Sequence, residues 1–300
     1  MALSECNTAT DQSGRELVEH GTTAFPVACY HDDFRVMDVP WHWHEELEAV
    51  LITAGSCLVA AGNEKMLLRR GEGFFINSGI LHGCWDVEST GCRFHSIVFH
   101  PRLVGGRLDS VFHQSFVQPL TGHPTLEIIR LTPSIPWQKD ALDAIEAAWQ
   151  DRTQEPPGFV FRVRSALSEL IYQLCCHLPS PRQKSGEKAL RDAERIKAML
   201  SCIHDHYPEE LSTKRIAASA SVSESECLRC FHTTIGTTPI QYLKQYRIQQ
   251  AAKLLLESQE KVADIAAACG FQDMSYFTKS FREEKGCTPT QYRKSISASP

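Results

Sequence analysis

The last third of the chain repeats itself at a spacing of 50 residues. Six residues recur at this interval: Phe231, Gly236, Thr238, Pro239, Gln241 and Tyr242 match Phe281, Gly286, Thr288, Pro289, Gln291 and Tyr292. Farther upstream, the Ile-Ala-Ala that begins at Ile216 recurs at Ile265. Two copies are too few for a solenoid, which needs three or more repeats to bury a continuous core. The repeat therefore predicts two copies of one small helical unit.

Each copy has the pattern of a short helix, a tight turn and a second helix. In the second copy, the Ala-rich segment Val262–Cys269 is followed by Gly270, which suits the left-handed residue at a helix end. Asp273 can then cap a helix over Met274–Lys285. Small residues in the first helix allow the second helix to cross it closely. This pattern is typical of a helix-turn-helix unit.

A single helix is predicted to connect the two units. In the first copy, Thr213–Ala220 and Glu224–Ile235 take the places of the two helices. Pro239–Glu257 then reads as one amphipathic helix, because its apolar residues return at helical spacing. Second helices that enter successive turns of the major groove must lie about 34 Å apart, and a rigid connection can hold them so.

The second copy closely resembles the signature of the AraC/XylS family of bacterial transcription regulators. The resemblance is carried by Ile265–Phe281, Gly286–Pro289 and Gln291–Arg293. It covers residues 188–294 and implies a DNA-binding domain that recognises promoter DNA. It also implies a small-molecule effector, a homodimer, contact with RNA polymerase and a role as an activator.

The resemblance implies that the second helix of each unit faces the DNA. Lys279 and Arg229 can donate hydrogen bonds to guanine, and Met274 can touch a thymine methyl group. Glu224 and Glu226 depart from the family pattern. Carboxylates near the phosphates of DNA weaken binding, so the first copy is expected to contribute less. Alternatively, some of these residues are only the solvated face of a helix. The expected DNA contacts are Ser225, Leu228, Arg229, Met274, Ser275, Thr278 and Lys279.

The N-terminal half has the pattern of a β-sandwich or barrel. Residues 20–110 contain short apolar runs separated by turn residues, which favours many short strands. Residues 111–137 are predicted to be rich in loops, and two helices are expected over Lys139–Asp151 and Pro157–Leu178. The predicted strands are Glu48–Thr53, Ser56–Ala61, Met66–Arg69, Gly73–Ile76 and Phe94–Phe99.

These patterns predict an α+β protein of more than one domain. Residues 20–178 are expected to form a cupin-like, effector-sensing and dimerisation domain. The polar segment 179–187 is the expected linker, and residues 188–294 form the all-α domain with tandem helix-turn-helix units. The two helices after the strands either pack on the barrel or form a dimer contact.

A second set of polar residues resembles the two cupin motifs. His42, His44 and Glu48 have the spacing H-x-H-x3-E, and His82 follows in the second motif. Residues two apart on a strand share a face, so His42 and His44 point the same way. Three imidazoles and a carboxylate suit a divalent transition metal. Alternatively, the four side chains and Trp43 line a metal-free pocket for a sugar-sized or aromatic effector.

Charge, cysteine usage and the absence of targeting signals favour a cytoplasmic, DNA-facing protein. The chain has a net charge of −5, but residues 187–294 hold 16 Lys and Arg against 14 Asp and Glu. That asymmetry has the direction expected of a DNA-binding half. The twelve cysteines are scattered, as in reduced cytosolic proteins. Neither a secretory signal nor an apolar run long enough to span a membrane is visible.

Three functions fit the sequence. The first is a ligand-responsive transcription regulator that is not an enzyme and requires no cofactor. The second is a metal-dependent cupin dioxygenase or isomerase with a helical appendage. The third is a constitutive DNA-binding protein whose barrel only dimerises. The repeat favours the first function over the second, because a cupin enzyme has no need of two helix-turn-helix units.

Overall fold

The computed structural model describes residue 10 and residues 14–34, 39–62, 64–86, 88, 91–123, 125–178 and 186–297. The chain divides into two compact units, Met1–Ala193 and Glu194–Pro300. The predicted linker 179–187 lies outside the described residues as far as residue 185, and a helix has begun by Gly186.

The first unit is built on two antiparallel β-sheets. Their orders are β1-β8-β3-β6-β9 and β2-β7-β4-β5. Both sheets contribute to one buried apolar layer, with Ile52 and Phe74 from the first sheet and Val59 and Leu68 from the second. The two-sheet architecture confirms the prediction. The strands are β1 (Val27–Asp33), β2 (Val39–His42), β3 (Leu47–Ala54), β4 (Ser56–Ala61), β5 (Glu64–Arg69), β6 (Gly73–Ile76), β7 (His82–Trp85), β8 (Arg93–Phe99) and β9 (Ile128–Leu131).

Two long helices cover the outer face of the five-stranded sheet. The apolar stripes of these helices pack with Ala49, Ile97 and Phe99 in a second core. Both helices were predicted, and their packing on the sheet is the first of the two arrangements that the sequence left open. The helices of this unit are α1 (Arg102–Gly105), α2 (Gln118–Thr121), α3 (Pro136–Gln154) and α4 (Phe159–Cys176).

The prediction that residues 111–137 are rich in loops was wrong for much of this segment. A π-helical turn over His113–Val117 continues into α2, and β9 joins the edge of the larger sheet. Leu120 and Leu126 are buried there. The buried amide of Asn77 donates hydrogen bonds to the carbonyls of both leucines, at 2.9 and 3.1 Å. Short apolar runs held by such non-local bonds give no periodic signal in the sequence.

The second unit is entirely helical among residues 194–297. It contains two similar helix pairs, α6–α7 and α9–α10, that α8 connects as predicted. A π-helical turn over Phe231–Ile235 extends α7. The helices are α5 (Gly186–His206), α6 (Thr213–Ser219), α7 (Glu224–Cys230), α8 (Pro239–Glu257), α9 (Val262–Ala268), α10 (Met274–Lys285) and α11 (Pro289–Ser297).

The two helix pairs share one turn geometry. Gly270 has φ +81°, and Ser221, at the matching position of the first pair, has φ +53°. The next residue in each pair bonds back to the preceding helix, from Val222 N to Ala217 O at 3.1 Å and from Phe271 N to Ala266 O at 2.9 Å. Since the turn sets the angle between the helices, both copies form the same helix-turn-helix unit, as the repeat predicts.

No helix within the described part of the chain combines the length and apolarity that a bilayer crossing requires.

Candidate sensor cavity and nucleic-acid interface

The four predicted metal or effector residues converge between the two sheets. His42 and His82 face each other across β2 and β7, while Glu48 lies on β3 in the other sheet. His44 follows β2 by two residues. One side-chain donor atom from each of the four lies within 4.8 Å of the others, and all three imidazoles are buried. The sequence spacing therefore identified a real cluster.

The backbone fixes which nitrogen of each imidazole faces the cavity. A carbonyl oxygen only accepts hydrogen bonds, so an Nδ1 atom bonded to one must carry the proton. In a neutral imidazole, Nε2 then holds a lone pair. The three bonds are His42 Nδ1 to Pro40 O at 2.9 Å, His44 Nδ1 to Glu46 O at 3.2 Å and His82 Nδ1 to Ile80 O at 2.8 Å. All three histidines thus direct Nε2 into the cavity.

Glu48 is the carboxylate at the centre of the cluster. Its Oε2 lies 2.9 Å from His82 Nε2 and 3.5 Å from His44 Nε2, and its Oε1 accepts a hydrogen bond from Ser96 Oγ at 3.0 Å. Burial by itself raises the pKa of Glu48, but the imidazoles of His44 and His82 outweigh that effect and hold the pKa well below its ordinary value. Glu48 is therefore ionised inside the protein.

The imidazoles that surround Glu48 differ in their affinity for a proton. Burial lowers the pKa of His42 to about 3. Burial also lowers the pKa of His82, but the hydrogen bond and charge of Glu48 raise it above the ordinary value. The contact between His82 and Glu48 therefore needs a positive charge, which either a proton on Nε2 or a bound cation can provide.

A further acidic group lies beside the cluster and was missed by the sequence analysis. Glu16 Oε2 is 3.9 Å from His42 Nε2 and 3.0 Å from His20 Nε2, and His20 Nδ1 lies 2.8 Å from the Tyr30 hydroxyl. Burial raises the pKa of Glu16, yet the hydrogen bond from His20 and the nearby imidazoles lower it overall. Glu16 lies in an irregular segment, so no motif or periodicity could have placed it here.

Two backbone hydrogen bonds fix this segment beside β2. Glu16 N donates to Trp43 O at 2.9 Å, and Trp43 N donates to Gly14 O at 3.0 Å. The Trp43 side chain is not among the cavity-lining groups, and its ring lies 5.8 Å from the guanidinium of Arg15. The structure thus does not bring Trp43 to the four other expected effector residues, because neighbouring residues of an extended chain point in opposite directions.

The cavity at the cluster has a volume of about 30 Å³. A drug-sized ligand needs a pocket of roughly 300–1,000 Å³, whereas a single water molecule needs only about 10–15 Å³. The cavity in this conformation is thus smaller than a sugar-sized or aromatic ligand requires, and the binding of such a ligand here stays a prediction. An ion with one or two water molecules fits.

In the second unit, one exposed surface of α10 contains all four expected DNA contacts. Asp273 accepts a hydrogen bond from Tyr276 N at 2.6 Å and so caps the first turn. Phe277 and Phe281 bury the opposite face of the helix. Met274, Ser275, Thr278 and Lys279 line a shallow concave surface together with Arg282, Glu283 and Thr288. Arg282 was not expected there, although it lies one turn after Thr278.

The first helix-turn-helix copy presents a weaker version of this surface on α7. Ser225 is exposed and Leu228 retains 43% of its exposure, as expected of residues that could contact DNA. The guanidinium of Arg229, however, forms two hydrogen bonds with the carboxylate of Glu226, at 2.8 and 2.7 Å. Arg195 also contacts Glu226, at 3.2 Å. These bonds occupy the Nε and Nη2 atoms of Arg229, so fewer of its N–H donors are available to a base while the pair with Glu226 is intact.

Comparison with known proteins identifies a domain of known type in each of the two compact units. Residues 25–152 match the family of AraC-like ligand-binding domains, and residues 216–295 match a helix-turn-helix domain family. The chain is 31% identical over 291 residues to the HTH-type transcriptional regulator YdeC of Bacillus subtilis, an alignment that covers 96% of this chain and 98% of that protein. The chain belongs to the AraC family of transcriptional regulators. The helix-turn-helix signature thus identified its family correctly.

Other relatives align with lower sequence identity or over a smaller share of the chain. The HTH-type transcriptional activator RhaR of Mannheimia succiniciproducens is 25% identical, over 85% of this chain and 87% of its own. The solved structure of an AraC-type transcriptional regulator from Chromobacterium violaceum is 27% identical, with a TM-score of 0.34, over 35% of this chain and 95% of that one. In this AraC-family regulator the residues that line the cavity lie within the ligand-binding match, apart from Glu16 and His20, which precede it. Helix α10 lies within the helix-turn-helix match.

Proposed function

We propose that this AraC-family regulator binds promoter DNA in response to a small effector held in the cavity of the first unit. The observation that carries the proposal is the surface of α10, where Met274, Ser275, Thr278 and Lys279 are presented together on a capped helix. An exposed helix face of this kind can follow the major groove and offer donors to base edges.

Lys279 and Arg282 give the DNA surface its positive charge. Lys279 forms no ion pair with any other described residue, so its ammonium group can donate to guanine or to a phosphate without breaking a contact. The experiment that tests the proposal selects DNA with the full chain from a random pool and then measures binding of the selected sequence. A chain that enriches no sequence would contradict the proposal.

We propose that the regulator is an activator that contacts RNA polymerase. The support is the relative from Mannheimia succiniciproducens, which is named a transcriptional activator. A reporter gene placed behind the selected DNA tests this role, and the chain should raise its expression. Such a protein acts where bacterial promoter DNA is found, in the cytoplasm.

We further propose that the chain forms a homodimer through the outer face of α4. The side chains on this face are exposed to solvent, with relative accessibilities of 76% for Phe161 and 49% for Tyr172, and both lie on one stripe of the helix. An effector could then change the arrangement of two DNA-binding units, provided that it binds one arrangement more tightly. Sedimentation of the full chain and of Phe161→Ser tests the dimer, which the substitution should weaken.

The competing function is a cupin enzyme. The imidazole cluster alone is compatible with it, but an enzyme gives no role to the capped and exposed helix of each helix-turn-helix unit. Since relatives of this chain are named regulators, we propose that the cavity senses its ligand and does not transform it.

A further inference from the structure

The connecting helix α8 passes from the core of one helix-turn-helix copy into the core of the other. Near its start, the hydroxyl of Tyr242 lies 2.9 Å from Nε2 of His204, which belongs to α5 beside the first copy. Farther along, Ile248 and Leu255 pack with the buried residues of the second copy. Arg247 directly precedes Ile248. It therefore lies where α8 leaves one copy and enters the other.

The guanidinium of Arg247 is bound to the segment that leads into the first copy. Its Nε donates to Tyr207 O at 2.7 Å, and its Nη2 donates to Glu209 O at 2.7 Å. Both carbonyls lie between α5 and α6. Hydrogen bonds from a charged donor are about twice as strong as those between neutral groups, and the C-terminal end of a helix such as α5 attracts positive charge. The two bonds therefore attach α8 to a point away from its own axis.

The turn of the second copy packs against the same place. A β-carbon on Gly270 would lie 2.8 Å from Tyr207 O and 3.0 Å from Cζ of Arg247. That Cζ also lies 6.0 Å from the centre of the Phe271 ring, and Phe271 is buried in the second core. Together with Glu209, these residues form one contact between the two copies, which we call the inter-copy joint.

The joint explains why the two copies differ at the turn. Ser221 holds the matching position in the first copy, with φ +53° and an exposed side chain. An exposed turn thus accommodates serine at a positive φ. At Gly270 the carbonyl oxygen of Tyr207 leaves no room for a side chain. The glycine is therefore needed for close approach between the copies as well as for its φ of +81°.

We infer that Arg247 is a positioning residue that, through the inter-copy joint, fixes α10 relative to α7 and so sets the distance between the two half-sites that the regulator accepts. The inference rests on the proposed function, because it names a determinant of DNA specificity for the same surfaces. Helix α10 begins at Met274, four residues after Gly270, so a fixed turn also fixes the start of that helix.

The geometry of DNA makes such a joint matter. One inserted base pair moves a half-site by about 3.4 Å along the duplex and rotates it by about 35° around the axis. A second copy that is attached to the first through α8 alone can bend toward the displaced half-site. A copy that is also held at the inter-copy joint cannot, so it loses its base contacts.

The test uses the full chain and the DNA that it selects from a random pool. Fluorescence anisotropy is measured on that DNA and on versions with one base pair inserted or deleted between the half-sites. We expect the unaltered chain to lose affinity about 10-fold or more on either change, as when specific base contacts are lost. Arg247→Gln should lose less than about 3-fold on the same changes, because its second copy can move to the displaced half-site.

Arg293→Gln is the matched control, since Arg293 Nε donates to Leu255 O at 3.2 Å within the second copy. It removes an arginine–carbonyl bond outside the joint and should keep the strict spacing. Arg247→Lys keeps the charge but offers a single nitrogen, so it should restore the spacing preference only in part. Thermal unfolding shows whether each variant folds, and Arg247→Lys provides the comparison if Arg247→Gln does not.

Two outcomes of the anisotropy assay would overturn the inference. The first is an equal loss of affinity by Arg247→Gln at every spacing, which is the behaviour of a simple phosphate contact. The second is the same spacing profile for Arg247→Gln and Arg293→Gln, which would mean that any loss of stability in the second copy relaxes the spacing.

A measurement without DNA separates this inference from the proposed function. A ketone-bearing amino acid in place of Ser225 and Ser275 carries nitroxide labels on α7 and α10, so the native cysteines stay unlabelled. Double electron–electron resonance then gives the distance between the labels. We expect one narrow distribution in the otherwise unaltered chain and in Arg293→Gln, and a wider one in Arg247→Gln. Equal widths would overturn the positioning role. Failure to select any DNA would contradict the proposed function, while the label distances would still decide the role of Arg247.

Discussion

Replacement of Lys279 by alanine tests whether α10 reads DNA bases. Lys279 is exposed on the concave surface of the helix, and the fold does not depend on its side chain because Phe277 and Phe281 hold the opposite face. Alanine is also a better helix former. Lys279→Ala should therefore leave unfolding unchanged and act on DNA binding alone.

The expected loss follows from the contact that the ammonium group makes. One hydrogen-bonded contact with a guanine is worth about 1–3 kcal/mol, which corresponds to roughly a 5- to 150-fold increase in Kd. If the contact is with a base, the preference for one base pair weakens and the salt dependence stays nearly constant. If it is with a phosphate, affinity falls for all sequences and the slope of log K against log salt changes by about 1.

The assay is fluorescence anisotropy on the selected DNA and on single-base variants at several salt concentrations. Lys253→Ala is the matched control, because it removes the same charge from the exposed side of the connecting helix α8. An unchanged Kd for Lys279→Ala, or an equal loss in both variants, would refute the assignment of α10 as the base-reading helix.

Three further predictions concern the rest of the molecule. Glu226→Gln should raise DNA affinity, since it releases Arg229 and removes a negative charge near the phosphates, and a lower affinity in the anisotropy assay would contradict this. Asn77→Ala should lower the free energy of unfolding by about 1–3 kcal/mol, because two buried carbonyls lose their donor; a denaturant titration that shows no change would speak against that role. A fragment of residues 188–300 should fold alone and bind DNA with a steep salt dependence, and a fragment without helical circular dichroism would disprove its independence.

Local sequence determined the strands and helices wherever periodicity was strong. The predicted runs at Glu48–Thr53 and Ser56–Ala61 lie within β3 and β4, and the connecting helix Pro239–Glu257 has the predicted bounds. The spacing of His42 and His44 placed both side chains on one face, and the pairing of β2 with β7 then brought His82 opposite His42. These features follow from residue patterns that repeat at the period of a strand or a helix.

The features that the sequence did not predict depend on contacts between distant residues. Glu16 reaches His42 only because an irregular segment bonds to the backbone of Trp43. The small volume of the cavity depends on side chains from both sheets, so no single motif could have predicted it. The pair of Arg229 and Glu226 is local, three residues apart on one helix, and the sequence showed the carboxylate but not its orientation.

The residues that the two copies share and those in which they differ have separate roles. Both copies place a hydrogen-bonding residue, Ser223 or Asp273, at the start of the second helix, and Thr238 and Thr288 each pair with a glutamine three residues later. These conformational residues must match, since both units need the same turn and helix start. The exposed positions do not match. Glu226, which binds Arg229 in the first copy, corresponds to the exposed Tyr276 in the second copy. The duplication therefore preserves the geometry of DNA docking, while each copy presents different side chains to the groove. The two half-sites should accordingly differ in sequence, and the second helix-turn-helix copy should contribute more of the DNA affinity.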